Sequence, residues 1–190
     1  MHLLPSSTPQ LADLRCHPDT PCPVVRSLQA RVSLLNDGIL AFDFTLVGDL
    51  DQLVIPTQGT PVFTDGLWKH SCFEAFLAWE GTQAYRELNF SPSTAWAAYA
   101  FERYREGGSS DLCRDPHIVV DVQRGRLELH AITQLDGTEP VGPLCLGLSA
   151  VLEHKDGGFS YWALQHPPGC PDFHHPFAFT LRVDAPRFRD

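Results

Sequence analysis

Residues 65–104 read DGLWKHSCFEAFLAWEGTQAYRELNFSPSTAWAAYAFERY and carry the clearest fold signal in this 190-residue chain. Alternating residue types over 71–79, and again over 85–91, predict two β-strands. The intervening EGTQ, residues 80–83, predicts a turn, so these strands should pair as an antiparallel hairpin. After a second turn, SPST at 91–94, a third strand is predicted over 95–103.

The register of the first hairpin follows from its apolar residues. Only a pairing of odd with even positions brings them together on one face, where they are Phe73, Ala75, Leu77, Leu88 and Phe90. In this register Glu74 lies opposite Asn89, and Phe76 lies opposite Glu87. The other face of the hairpin therefore carries both carboxylates.

That second face is a candidate ligand-binding surface. The third strand is small and aromatic on both sides, so its periodicity does not orient it; with a tight turn, Trp96 lies beside Asn89. The predicted patch then consists of Glu74, Tyr85, Glu87, Asn89 and Trp96. Hydrogen-bonding groups beside an indole ring suit a polyhydroxylated ligand. The alternative is a solvated outer face, because antiparallel sheets commonly leave one face in water.

Composition narrows the class of protein. A hydrophobic content of 43% and a charged content of 19% are typical of a globular chain, and its length predicts one domain. The net charge of −9 and the scattered basic residues argue against a nucleic-acid partner.

Compartment and cysteine chemistry are predicted together. No apolar run is long enough for a membrane span, and no basic leader is visible, so we expect no membrane partner and a cytoplasmic location. The six cysteines are then expected to be free thiols. No CxxC pair supports a zinc ribbon.

The chain divides into two unequal parts. Residues 1–23 hold five prolines and predict an irregular lead-in, and residues 24–186 predict one domain. Hairpins are predicted around Asn36-Asp37-Gly38 and around Arg124-Gly125, with a loop at 106–114 and later strands at 146–152, 159–164 and 177–183. Nine or ten strands without helical periodicity predict an all-β, jelly-roll-type antiparallel β-sandwich.

Three segments carry a resemblance to a known family. They are LWKHSCFEAFLA at 67–78, YRELNFSPSTAWAAYAFERYR at 85–105 and YWALQHPPGCPDFHHPFAF at 161–179. Together they resemble motifs of bacterial DOMON-like domains, an uncharacterised branch related to family 9 carbohydrate-binding modules. The resemblance implies a jelly-roll sandwich whose better-known relatives bind sugars or haem.

The resemblance also implies roles for particular residues. Carbohydrate-binding relatives hold a sugar between aromatic rings, with acidic and amide groups around it. The motif match assigns these aromatic, acidic and amide roles to Trp68, Glu74, Glu87, Asn89 and Trp96. Trp68 has a second interpretation, as a packing plug between the sheets.

Haem binding is the less favoured implication. Haem-binding relatives use Met and His as axial ligands, and the only methionine here is Met1. A His/His site stays open, because low-spin haem needs two strong axial donors. Its candidates are His70, His154, His166, His174 and His175. We expect no cofactor.

A proline-rich loop at 166–176 is the next strongest signal. It presents His166, Asp172, His174 and His175, with Cys170 as a further donor, and such groups can bind a metal. The alternative is a loop whose polar side chains hydrogen-bond backbone groups that no strand satisfies. We favour the structural interpretation and expect no metal, because adjacent histidines on extended chain point in different directions.

The predicted function is a non-catalytic domain that binds a sugar or another small polar ligand. The alternatives are a haem-binding or metal-binding domain and a small enzyme. Glu74 and Glu87, at a diagonal offset, can approach the separation of roughly 5 Å used by retaining glycosidases. Such catalysis needs a raised pKa in a closed cleft, and no cleft is evident from the sequence. Neither a GxSxG motif nor a P-loop is present.

Overall fold

The computed structural model describes residues 9–35, 38–110, 115–135 and 142–184. Thirteen strands lie in these ranges: β1 (Gln10–Asp13), β2 (Arg15–Cys16), β3 (Val25–Leu34), β4 (Ile39–Gly48), β5 (Cys72–Trp79), β6 (Tyr85–Phe90), β7 (Trp96–Arg103), β8 (Glu106–Ser110), β9 (His117–Gln123), β10 (Arg126–Gln134), β11 (Leu144–Glu153), β12 (Phe159–Ala163) and β13 (Leu181–Val183). The described helical segments are three 3-10 turns, at Leu50–Gln52, Leu67–Lys69 and Pro176–Ala178. No described helix has the length and apolar content that crossing a membrane requires.

The strands form two antiparallel sheets. The smaller sheet has the order β1-β3-β4-β10-β9. The larger sheet has the order β2-β12-β11-β5-β6-β7-β8, and β13 pairs with β11 beside the end of β12. This arrangement confirms the predicted all-β antiparallel sandwich.

One apolar core lies between the two sheets. Phe42 and Phe44 of β4 contact Phe90 of β6 and Phe73 of β5, with ring centroids 5.7 and 5.1 Å apart. Trp96 belongs to the same core, with 6% of its surface exposed. The alternating apolar residues of each strand thus bury one face of each sheet.

Most predicted hairpins are confirmed. Glu74 pairs with Asn89 and Phe76 pairs with Glu87, as the alternation requires. The β9–β10 hairpin turns at Gly125, whose φ of 77° suits glycine. Strands β3 and β4 flank the third predicted turn, although its Asn36 and Asp37 lie outside the described residues.

Three segments differ from their prediction. The lead-in contains strands β1 and β2, which find partners in β3 and β12. The predicted loop 106–114 begins with β8, an edge strand paired with β7, while 111–114 lie outside the described residues. The predicted strand 177–183 is reduced to β13, because Pro176 begins a 3-10 turn that ends in Ala178. Tertiary pairing overrides weak local signals in the first two segments, whereas the local effect of Pro176 shortens the third.

Five of the cysteines fall in the described residues, and none of them forms a disulfide: Cys16, Cys22, Cys72, Cys145 and Cys170. Cys113 lies outside the described residues.

Candidate functional site

A cavity of about 640 Å³ lies on the face of the larger sheet that points away from the core. Its floor is built by alternation, because every second residue of β5, β6 and β7 faces this side. Its lining residues are Asp65, Trp68, Lys69, Glu74, Phe76, Glu87, Tyr99, Phe101, Arg105, Gly108, Val151, Phe159, Tyr161, Pro171, Phe173 and His174. Aromatic rings and carboxylates therefore meet in one concave surface.

One wall is the segment that precedes β5. The Tyr99 hydroxyl donates to Asp65 Oδ1 (2.5 Å) and accepts the Gly66 N–H (3.1 Å). Burial and the neighbouring Asp65 raise the pKa of Tyr99 to about 12, so this hydroxyl stays protonated and keeps donating. Leu67 packs in a small apolar cluster with Tyr99, and the next residue, Trp68, stands at the rim with 48% of its surface exposed.

Another wall is the proline-rich loop, which contributes Pro171, Phe173 and His174 and which the lead-in anchors. His166 Nε2 hydrogen-bonds the Arg15 carbonyl (2.8 Å), and His17 Nε2 hydrogen-bonds the Gly169 carbonyl (2.9 Å). His17 and His166 also contact each other edge to face, with centroids 4.8 Å apart. Burial lowers the pKa of His166. The lead-in therefore holds this wall against the sheet.

Asp172 ties the same loop to the end of β7. It accepts hydrogen bonds from the Tyr104 hydroxyl (2.7 Å), from Arg105 Nη2 (2.8 Å) and from the His174 N–H (3.2 Å). Burial opposes ionisation of Asp172, but these donors outweigh it and lower the pKa of the carboxyl. Arg105 is in turn held in an ion pair at the cavity edge.

His174 links this loop to the floor of the cavity. Its Nδ1 lies 2.8 Å from the Tyr85 hydroxyl, which accepts the Arg105 N–H (3.1 Å). Burial, and then the charge of Arg105, lower the pKa of His174 to about 4, so its ring is neutral at pH 7. In the tautomer that carries its proton on Nε2, the neutral ring accepts a hydrogen bond from the Tyr85 hydroxyl at Nδ1 and turns Nε2–H toward Glu87 Oε2, 3.6 Å away.

Glu74 is the most deeply placed carboxyl of the site, with 2% of its surface exposed. Ser149 of β11 donates to its Oε2 (3.1 Å). Burial raises the pKa of Glu74 well above its ordinary value, and repulsion from Glu87 raises it further. A proton is therefore retained more strongly on Glu74 than on an exposed glutamate.

Glu87 lies diagonally across from Glu74 and is 4% exposed. Burial raises its pKa, while the hydrogen bond from Asn89 Nδ2 (2.7 Å) and the charge of Arg105 lower it. Two buried carboxyls in one cavity that both hold raised pKa values are typical of functional sites.

Three of the predicted residues line the cavity: Trp68, Glu74 and Glu87. Tyr85 and Asn89 lie behind it, where Tyr85 supports His174 and the fully buried Asn89 supports Glu87. The exposure of Trp68 contradicts its interpretation as a plug between the sheets. The burial of Glu74 and Glu87 contradicts a solvated outer face.

Trp96 was wrongly placed in the patch. The second turn is one residue longer than expected, because Ser91 N–H bonds the Ala95 carbonyl and Thr94 adopts a φ of 72°. Phe90 therefore pairs with Trp96 and Asn89 with Ala97. A one-residue shift moves a side chain to the other face, so Trp96 joins the core and packs on Phe63 at 5.4 Å.

Sequence reasoning missed the cavity residues of β7 and β12: Tyr99, Phe101, Phe159 and Tyr161. The corrected register places Tyr99 opposite Glu87, which the odd-numbered aromatics of residues 95–103 could have indicated. Arg105 and Phe173 were also missed, and no local pattern marks them, because loops bring them to the site. The absence of a side chain at Gly147 lets the Phe179 ring lie close over the sheet, since a Cβ there would be 2.6 Å from that ring.

The candidate metal and haem ligands have other contacts. His70 pairs with Glu153 (2.9 Å), His154 with Ser160 (3.0 Å), and His175 Nδ1 accepts the Phe177 N–H (3.2 Å). Within the described ranges, no group of three or more His, Cys, Asp or Glu side chains is placed to hold a metal ion. The absence of a cofactor stays a prediction.

No protein-family model and no curated protein matches the sequence. Solved structures match the fold. A protein from Bacteroides uniformis, proposed to bind carbohydrate, is 12% identical with a TM-score of 0.59, over 92% of this chain and 85% of that one. A family 9 carbohydrate-binding module from Caldicellulosiruptor kristjanssonii, solved with cellotriose, is 10% identical with a TM-score of 0.51, over 95% and 84%. At these identities the similarity shows a shared β-sandwich fold.

Proposed function

We propose that this chain is a DOMON-like, non-catalytic domain that binds a sugar or another small polar ligand in the cavity of the larger sheet. The observation that carries the proposal is the cavity itself, which combines aromatic rings with buried carboxyls in about 640 Å³. Small-molecule sites are commonly concave, mostly apolar and supplied with a few fixed polar groups.

The positions of these groups suit a sugar. Trp68 offers an exposed ring at the rim, on which the C–H face of a sugar ring can stack. Glu74 and Glu87 offer acceptors for hydroxyl groups deeper inside, and the Arg105 guanidinium offers a donor at the cavity edge. The fold that this chain shares with carbohydrate-binding proteins supports the same ligand class.

The test is calorimetric titration with glucose and cellotriose, together with mass spectrometry of whatever co-purifies with the native protein. Trp68→Ala should weaken binding by roughly 1–3 kcal/mol, the range found for other stacking contacts. Phe177→Ala is the matched control, because Phe177 is equally exposed at 48% and lies outside the cavity lining. Equal affinity in the wild-type and Trp68→Ala proteins would contradict the placement of the site.

Glycoside hydrolysis is a second candidate, favoured by one observation. Glu74 and Glu87 are buried in a cleft with raised pKa values, the environment that a catalytic acid requires. Turnover of aryl glycosides that is lost in Glu74→Gln would establish catalysis. Binding without turnover would favour the non-catalytic domain.

A further inference from the structure

Glu74 and Glu87 are buried beside the cavity with few hydrogen-bond partners and with no paired lysine or arginine among the described residues. Glu74 Oε2 accepts one hydrogen bond, from Ser149, and its Oε1 has no hydrogen-bond partner among the described residues. Glu87 Oε1 accepts a hydrogen bond from Asn89, and Glu87 Oε2 lies 3.6 Å from Nε2 of the neutral His174 ring. Within the described ranges, neither carboxyl forms an ion pair with a lysine or an arginine.

The two cationic side chains of the lining are engaged elsewhere. Arg105 forms its ion pair with Asp172 at 2.8 Å, although its charge also reaches Glu87. Lys69 lies at the exposed rim with its Nζ 5.1 Å from the centre of the Trp68 ring. Neither side chain therefore neutralises Glu74, which leaves a buried carboxyl facing an open cavity.

The walls beside these carboxyls are aromatic. Phe76 neighbours both glutamates on the sheet, and Tyr99 and Phe101 follow along β7. Aromatic rings attract cations through their electron-rich faces, most strongly where water is excluded. A neutral sugar would use the rings for stacking but would not supply the cation that stabilises the ionised forms of the two carboxyls.

We propose that the ligand of this cavity carries a primary ammonium group, which binds between Glu74 and Glu87 while the rest of the ligand packs on the aromatic wall. The inference rests on the proposed function and specifies the chemistry of its ligand. A primary ammonium supplies N–H donors for Glu74 Oε1 and for Glu87, whereas a quaternary ammonium supplies charge alone. An amino sugar satisfies both the rings and the carboxyls.

The first experiment compares matched ligands on the unmodified protein. Glucosamine and galactosamine are titrated beside glucose and galactose, from which they differ by one amine in place of one hydroxyl. Each amine should bind at least about tenfold more tightly than its parent sugar, the scale of a hydrogen bond to a charged group. Tetramethylammonium should bind more weakly than glucosamine.

The outcomes separate the two proposals. If glucose binds as tightly as glucosamine, the cavity is a sugar site and the ammonium proposal is overturned. If ethanolamine and both amino sugars fail to bind, the ammonium proposal is overturned as well. If the neutral sugars also fail to bind and no ligand co-purifies, the proposed function is contradicted together with the ammonium proposal.

The second experiment locates the charge. Glu74→Gln and Glu87→Gln should each weaken glucosamine binding by at least about tenfold more than they weaken glucose binding, because glutamine keeps the shape of the side chain but loses its charge. Glu128→Gln is the control, since Glu128 pairs with Arg126 on the smaller sheet. Equal losses for glucosamine and glucose would show a general packing role and overturn the assignment.

Discussion

The two faces of strands β5 to β7 are both buried, yet in different ways. On the inner face Phe73 packs on Phe44 of the smaller sheet, and Trp96 lies in the same core. On the outer face the neighbouring Glu74 is buried almost as completely, but beneath loops and beside a cavity. The comparison teaches that burial alone does not define a core: what covers each face decides whether it stabilises the fold or receives a ligand.

The difference has an electrostatic consequence. Apolar side chains on the inner face lose only unfavourable contact with water when the sheets meet. On the outer face, Glu74 and His174 lose hydration, so the pKa of Glu74 rises and that of His174 falls to about 4. Both groups therefore favour their neutral forms, and burying them on the outer face lowers the stability of the fold.

The largest effect is expected on the inner face. Trp96→Ala should lower the free energy of unfolding by about 3–5 kcal/mol, because it leaves a cavity between the sheets. Urea denaturation measures this loss. The milder Trp96→Phe should keep ligand affinity unchanged, and a loss of binding in that folded variant would return Trp96 to the site.

A smaller effect is expected where the loop meets the outer face. His174→Ala should cost about 1–3 kcal/mol, because it leaves the buried Tyr85 hydroxyl without its acceptor. His175→Ala should cost less, about 0.5–1 kcal/mol, since that side chain is exposed and loses only the hydrogen bond from the Phe177 N–H. Thermal unfolding of both variants measures the contrast. Equal losses would show that the loop is not anchored through His174.

The smallest effect is expected from Glu74→Gln at acidic pH, where the variant and the wild type should differ least in stability. The difference should grow as the pH rises. The folded state retains the Glu74 proton above the ordinary pKa of 4.5, at which the unfolded state releases it. The stability of the wild type should therefore fall relative to the variant as pH rises from 4.5 through the raised pKa. The effect of His174 has the opposite sign, because its lowered pKa adds stability as the pH rises between about 4 and 6.5. Since His174 is present in both proteins, its contribution cancels in the difference between them.

Chemical denaturation of both proteins between pH 4.5 and 8 measures this difference. Glu128→Gln, which removes an exposed carboxyl from the smaller sheet, should follow the wild type. A difference between wild type and Glu74→Gln that stays flat with pH would mean that Glu74 is ionised as readily as an exposed glutamate.

The sequence by itself determined the all-β class and the pairing of β5 with β6. Alternation has a period of two, so the apolar residues could reach one core only if Glu74 lay opposite Asn89. The same reasoning placed Glu74, Tyr85 and Glu87 on one face and recovered the β9–β10 hairpin. These features depend on local patterns that each strand carries in full.

Only the tertiary structure decided what lies above that face. Thr94 lengthens a turn by one residue and sends Trp96 into the core, a backbone detail that side-chain patterns do not reveal. Arg105 is held at the cavity by Asp172, 67 residues away in the chain, and His174 by Tyr85, 89 residues away. The pairing of strands follows from neighbouring residues, whereas the cavity depends on loops whose positions are fixed by distant partners.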